Sequence, residues 1–170
     1  MTSTIFNSPL GPLLIAEEDG HITEISFMEA DTRQKYRQSS QPEHPSSQPP
    51  QNQASQIPNI TATCIQQLDS YFAGKLKTFT VPIKPAGTDF RKRVWAALMD
   101  IPYGQTISYK QLAQNIGQPS AVRAVGGANN HNPISIIVPC HRVIGADGSL
   151  VGYGGGLGNK TSLLELERNA

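Results

Sequence analysis

A thiol and an imidazole stand side by side at Cys140 and His141, preceded by Pro139 and set between the apolar run Ile134-Ser135-Ile136-Ile137-Val138 and Arg142-Val143-Ile144. The apolar run predicts a buried strand. Proline has no N–H to give a sheet ladder, so pairing is expected to stop where the sulfur begins. A thiol at the rim of a core with a base in reach is a nucleophile. Because a free thiol ionises only near pH ~8.5, a neighbouring group must take its proton or lower its pKa, and His141 is the nearest candidate. Adjacent residues of an extended strand point to opposite faces, so the expectation is a bridging water rather than direct contact between the two side chains. The dipeptide alone leaves a second reading open, since unpaired cysteine is commonly an inert core hydrophobe.

Such a pair must be positioned by a packed scaffold, and 170 residues with 38% hydrophobic content can supply one. Short apolar runs at Thr4-Ile5-Phe6, Leu13-Leu14-Ile15-Ala16 and Ile22-Thr23-Glu24-Ile25-Ser26-Phe27, punctuated by Pro9, Gly11 and Asp19-Gly20, predict an antiparallel meander. Residues 38–58 collapse to Gln, Ser and Pro and read as a mobile surface loop, with His44 solvated. Ile60, Cys64, Leu68, Tyr71 and Phe72 fall at helical spacing, which places Cys64 in the core. After a linker over residues 82–87, Thr88 is expected to cap a helix reaching Met99, with Phe90, Val94, Leu98 and Ile101 as its apolar stripe and Trp95 packing. Residues 106–116 predict a second helix stopped by Gly117, and Pro119 starts a third over 120–129; joined by a Gly-containing turn, the two form a helix-turn-helix candidate. Asp147-Gly148 predicts a hairpin turn back toward Leu150, and a last helix is expected from Asn159 through Glu167. The fold class is α/β, of the α+β kind, divided into residues 1–84 and 85–170.

The third helix carries Ala121, Ala124, Gly126, Gly127 and Ala128. Glycine weakens a helix, so the lack of bulk implies close approach, by a neighbouring strand or by something outside the fold. Residues 1–85 hold six Lys/Arg against eight Asp/Glu and residues 86–170 eight against five, so a net charge of +1 conceals a second half of +3. That excess permits phosphate contact without requiring it. No stretch approaches the roughly 18 apolar residues of a membrane span, the first residues lack a signal-peptide pattern, and the two cysteines, Cys64 and Cys140, read as reduced thiols, so a cytoplasmic protein is expected.

The motifs taken together carry a resemblance. Asn132-Pro133, the apolar run, Pro139-Cys140-His141-Arg142-Val143 and Tyr153-Gly154-Gly155-Gly156-Leu157 stand in this order, preceded by Ser108-Tyr109-Lys110-Gln111-Leu112-Ala113 and by Arg123 to Ala128. This resembles the 6-O-alkylguanine-DNA alkyltransferases, densely over residues 88–167. The resemblance implies a ribonuclease-H-like N-terminal part and a winged helix-turn-helix-like C-terminal part. It also implies one irreversible transfer of an alkyl group from 6-O-methylguanine, or 4-O-methylthymine, in DNA to Cys140 after base flipping. Soft thiolate suits displacement at saturated carbon. By the same resemblance Glu167, rather than the nearby Glu165, backs His141. Tyr109 assists departure of the purine, Asn132 links the recognition helix to the nucleophile, and Arg123 fills the base stack. Ser120, Ala124 and Gly127 face DNA, and Val143, Tyr153 and Gly154 line the base pocket. Gly154 replaces a serine of some relatives, and Asn129 and Asn130 replace an apolar and a basic residue. No cofactor and no metal are expected, since Cys64, His21 and His44 are not clustered as zinc ligands, and there is no room for a metal-bound phosphotriester-repair domain. The implied partner is alkylated double-stranded DNA, engaged through its minor groove by a monomer, with no membrane. Three rivals give different signatures: a Cys-His hydrolase would turn over an ester or amide, a recognition protein would bind without transfer, and a helix-turn-helix regulator would tolerate Cys140→Ala.

Overall fold

The computed structural model describes residues 1–29 and 59–170; the Gln/Ser/Pro segment and His44 lie outside the described residues. The N-terminal meander forms as expected, with β1 (Thr2–Ser8), β2 (Gly11–Glu18) and β3 (His21–Phe27) in the antiparallel order β1-β2-β3. Asp19 and Gly20 both take positive φ, 51° and 73°, the backbone of a tight hairpin whose twist matches its strands. The pairing steps from Glu17↔Ile22 to Ala16↔Glu24, one residue against two, and this bulge turns Ile22 and Ile25, an odd number apart, into the same core. Helix α1 (Ile60–Phe72), capped by Asn59, covers the sheet with Cys64, Leu68 and Tyr71 fully buried.

The segment read as a linker over residues 82–87 is paired. Ile22 N–H donates to the Pro82 carbonyl and Lys84 N–H to that of Ile22, both at 2.9 Å. Further along the same edge Ile25 N–H donates to Pro133 and Ser135 N–H to Ile25, again at 2.9 Å. The open edge of β3 is thus covered by residues 82–84 and by residues 133–135, which removes unpaired backbone and pins the segment leading to Cys140 against the sheet.

Helix α2 (Asp89–Met99) is capped by Thr88 as expected, and Trp95 is buried with its Nε1 donating to the Ala128 carbonyl at 2.9 Å. The second helix is shorter than residues 106–116. Ile107 and Ser108 are drawn into β4 (Ile107–Ser108), and α3 (Tyr109–Asn115) begins under a Ser108 cap. The third, α4, runs Val122–Asn130, so Ser120 lies in the preceding turn.

Two expectations around the cysteine fail. Residues 134–138 are no strand: Ile134 makes one bridge to Ile25, turns follow, Ile136 adopts φ 75°, and Cys140 opens a 3-10 helix (Cys140–Arg142). Tight-turn backbone bonds serve part of the segment, and the side chain of Asn132 adds the rest, accepting from Ile134 N–H and donating to the Ile134 and Val138 carbonyls. The Asp147-Gly148 turn exists, but β5 (Val143–Ile144) returns to no strand near Leu150; it pairs in parallel with β4, Ile107 opposite Val143. The last helix, α5 (Leu157–Asn169), starts two residues before Asn159. One buried cluster runs from Phe6 in β1 to Leu163 in α5 and includes the cysteine segment, an α/β architecture.

Candidate active site

The 3-10 turn places Cys140 and His141 on consecutive positions of a tight helix, where both are buried. Asn132 reaches the sulfur, its Nδ2 lying 3.1 Å from Sγ and 2.9 Å from the Val138 carbonyl. The residue that holds both ends of the turn segment therefore also donates to the nucleophile. Asn129 joins it: it is buried, and its Nδ2 donates to the Cys140 carbonyl at 3.3 Å.

Behind the thiol, Nε2 of His141 lies 2.7 Å from Oε1 of Glu167, both side chains fully buried. A carboxylate accepts only, so Nε2 carries the proton and Nδ1 keeps its lone pair. Nδ1 is buried without a hydrogen-bond partner among the described residues. Glu167 is held by more than the histidine. Arg142 grips it bidentately, Nε to Oε2 and Nη2 to Oε1 at 2.9 Å each, while Nη1 donates to the Ile101 carbonyl at 2.7 Å; the Gly104 N–H adds a bond to Oε2 at 3.3 Å and the Tyr71 hydroxyl one to Oε1 at 2.8 Å. Glu165, two residues earlier, is exposed.

These surroundings set the protonation states. Burial would raise the Glu167 carboxyl, but the hydrogen bonds and charges of His141 and Arg142 outweigh it and bring its pKa to about 2. Burial lowers the His141 imidazole against the pull of Glu167. Burial also pushes the Cys140 thiol up to about 11, opposed by the Asn132 hydrogen bond and the Lys160 charge. The resting pair is thus neutral thiol and neutral imidazole, with a base whose lone pair is bare. Cys64, buried without such company, is pushed to about 12, an inert core thiol.

Lys160 was not foreseen. It is fully buried on α5, its Nζ donating to the Val143 carbonyl at 2.6 Å and to that of Val151 at 3.1 Å, and no carboxylate pairs with it among the described residues. Burial disfavours its charge and a negative Cys140 favours it, so its natural counter-ion is the thiolate. Lys160, Leu163 and Glu167 share one buried face, and that seven-residue spacing was readable as two helical turns. Arg142 was legible as part of the motif but carried no sign of its grip on Glu167.

The other expected residues fall in two groups. Tyr109, Ser120 and Arg123 line an open cleft of about 860 Å³ with Val122, Gly126, Asn130, Val151 and Gly152. The Tyr109 hydroxyl donates to the Val151 carbonyl at 2.8 Å, and burial followed by the nearby Cys140 raises its pKa, so it spans cleft and thiol. Ala124 and Gly127 are exposed on α4, and a Cβ built on Gly127 would meet nothing within 4 Å. The lack of bulk there is therefore not required by packing within the fold. Val143 offers Lys160 its carbonyl, and Tyr153 is buried edge-on to Phe27 of β3 at 6.3 Å between ring centroids. Gly154 is exposed, but the neighbouring Gly155 admits no side chain, since a Cβ there would lie 2.5 Å from the Phe27 ring.

Comparison with known proteins finds similarity over nearly the whole chain. Residues 1–85 match the family model described as 6-O-methylguanine DNA methyltransferase, ribonuclease-like domain, and residues 89–169 its DNA binding domain. The chain is 47% identical over 163 residues to the methylated-DNA–protein-cysteine methyltransferase of Mycobacterium tuberculosis strain H37Rv, covering 96% of this chain and 90% of that one. It is 46% identical to the same-named protein of Methanosarcina acetivorans, covering 98% of each. Among solved structures, Mycobacterium tuberculosis OGT in complex with DNA superposes with a TM-score of 0.78 at 44% identity, over 97% of this chain and 91% of that one. The O6-methylguanine-DNA methyltransferase of Pyrococcus kodakaraensis gives 0.58 at 27%, over 97% of each. With both halves matched and the thiol, imidazole and carboxylate gathered in one buried cluster, the chain belongs to the 6-O-methylguanine DNA methyltransferase family.

Proposed function

We propose that this protein repairs alkylated DNA by direct reversal, taking the alkyl group of 6-O-methylguanine, and of 4-O-methylthymine, onto Cys140 once and irreversibly. The observation that carries the reading is the 2.7 Å bond from His141 Nε2 to Glu167, which leaves Nδ1 as a bare base on the residue next to Cys140. In the reaction Sγ forms a bond to the methyl carbon as the bond from that carbon to the guanine oxygen breaks. The thiol proton passes, through a water, to Nδ1 of His141, and Glu167 stabilises the imidazolium. The buried Lys160 charge stabilises the developing thiolate, and Asn132 keeps the sulfur aimed. Negative charge grows on the departing purine, and the Tyr109 hydroxyl exchanges its Val151 partner for a ring nitrogen there; in the sum the guanine regains the proton the thiol gave up. A thioether is not hydrolysed by water near neutrality, so each molecule acts once and needs no donor cofactor.

The target atom is inaccessible inside a duplex, so the nucleotide must be extruded. Arg123, exposed at the lip of the cleft, takes its place in the stack, and Ser120, Ala124 and Gly127 let the backbone of α4 approach the minor groove. Val143, Tyr153 and Gly154 form the wall that receives the flipped base. The protein acts as a monomer in the cytoplasm, where two unpaired cysteines stay reduced. The test is the intact mass after incubation with a duplex carrying one 6-O-methylguanine, beside a Cys140→Ser control. One added methyl, mapped to Cys140 and absent from the control, is expected; an unchanged mass with the duplex still methylated overturns the reading.

A further inference from the structure

Tyr71 lies on α1, in the N-terminal half, yet its hydroxyl donates to Oε1 of Glu167 at 2.8 Å across 96 positions of sequence. That oxygen also receives the His141 N–H at 2.7 Å and Arg142 Nη2 at 2.9 Å. The Tyr71 ring is fully buried and packs on Phe72, Phe79 and Tyr103, contacts that phenylalanine would make equally well without burying a hydroxyl. Arg142 already fixes the carboxylate plane through both oxygens, so the Tyr71 hydroxyl is not needed to orient it. We propose that Tyr71 is a positioning residue that acts through Glu167 to moderate the base strength of His141, so that the N-terminal half of the chain tunes activation of Cys140.

Each donor on a carboxylate oxygen draws off part of the charge available to the others. The Tyr71 bond weakens the hold of Oε1 on the His141 proton and disfavours imidazolium, keeping the imidazole neutral and able to accept. The charged and titratable groups around the His141–Glu167 pair are Lys160 from α5, Arg142 and Cys140 from the 3-10 turn, Tyr103 from the turn after α2, Tyr153 from the segment before α5, and Tyr71 from α1. Of the two donors to Oε1 other than His141 itself, Tyr71 is the neutral one and can lose its hydrogen bond without removing a charge.

The inference rests on the alkyl-transfer reading for its consequence but not for its test. In Tyr71→Phe, His141 holds its proton to higher pH. The acidic limb of the single-turnover transfer rate moves up by about half a unit, about threefold slower on the limb, with the plateau unchanged. Phe79→Leu, which disturbs the same packing without touching the carboxylate, lowers the melting temperature and leaves the limb in place. The His141 ring is also titrated by NMR in the free protein, where no substrate is involved, and shows the same upward shift in Tyr71→Phe alone. Coincident titrations of parent and Tyr71→Phe, or an equal shift in Phe79→Leu, overturn the inference. A shifted titration in a protein that transfers no alkyl group upholds Tyr71's control of His141 and rejects the proposed function instead.

Discussion

Glu167→Gln removes the negative charge around which four chain segments are gathered, while keeping size and most of its hydrogen-bonding reach. The residue is only 3% exposed, its side chain not at all, and the carboxyl pKa falls from 4.5 to about 2 in the folded protein. At about 1.4 kcal/mol per pKa unit, that shift corresponds to about 3 kcal/mol of stability, the range expected when one partner of a buried ion pair is removed. Because the folded pKa is depressed, the contribution is complete above pH ~4.5 and disappears as pH falls through about 2. Urea unfolding followed by fluorescence of the single, buried Trp95 gives both curves. With a slope of about 2 kcal/mol per molar urea, the variant midpoint lies about 1.5 M lower at pH 7. The gap narrows between pH 4.5 and 2, as the parent protonates Glu167 and loses what the variant never had. A gap under about 1 kcal/mol at pH 7, or one that stays constant down to pH 2, would refute the idea that this carboxylate is ionised and structurally required.

Lys160→Met removes the cation nearest the thiol and should slow transfer at neutral pH about tenfold while moving thiol titration, read by alkylation with a small haloacetamide, to higher pH. Asn132→Ala deletes the amide that holds residues 134–140 and is expected to cost about 2 kcal/mol in the same urea assay, with a larger loss in transfer rate than in DNA affinity. Under the role proposed for Arg123 in extrusion, Arg123→Ala should slow transfer from duplex DNA in a single-turnover assay but leave transfer from an alkylated free base unchanged. Gly127→Ala, with open space around its Cβ, should stabilise α4 by up to about 1 kcal/mol, whereas Gly127→Phe leaves the melting temperature near the parent value and abolishes duplex binding measured by anisotropy.

The cysteine and its histidine were legible because covalent neighbours cannot be separated by folding, and the meander and α1 were legible because their periodicities are strong. What failed did so for local reasons. The apolar run before Cys140 is too short for periodicity to separate strand from buried coil, and nothing in an isoleucine announces φ 75° at position 136. Asn132 supplies from a side chain some of the hydrogen bonds that a strand neighbour would have supplied, an exchange decided by tertiary structure. The parallel pairing of β4 with β5 rests on two residues of each strand, and it shortened α3 from Thr106 to Tyr109. Lys160 and Arg142 escaped because charged side chains face solvent by default. Their burial follows from two groups that only the fold brings near, the thiol and Glu167.

The grip on Glu167 also dictates an order of events during folding. Its partners lie 96, 63, 26 and 25 residues away along the chain, at Tyr71, Gly104, His141 and Arg142. Contacts of such separation close late, after local helices and hairpins have formed, because each demands the ordering of a long loop. A chain that has made its meander and its helix pair but has not docked α5 carries a cysteine whose neighbouring histidine lacks the Glu167 carboxylate and whose neighbouring cation, Lys160, is missing. The nucleophile comes into being only with the last docking step, so partly folded molecules keep a thiol no more reactive than any other, and the single alkyl group each molecule can accept is reserved for the finished fold.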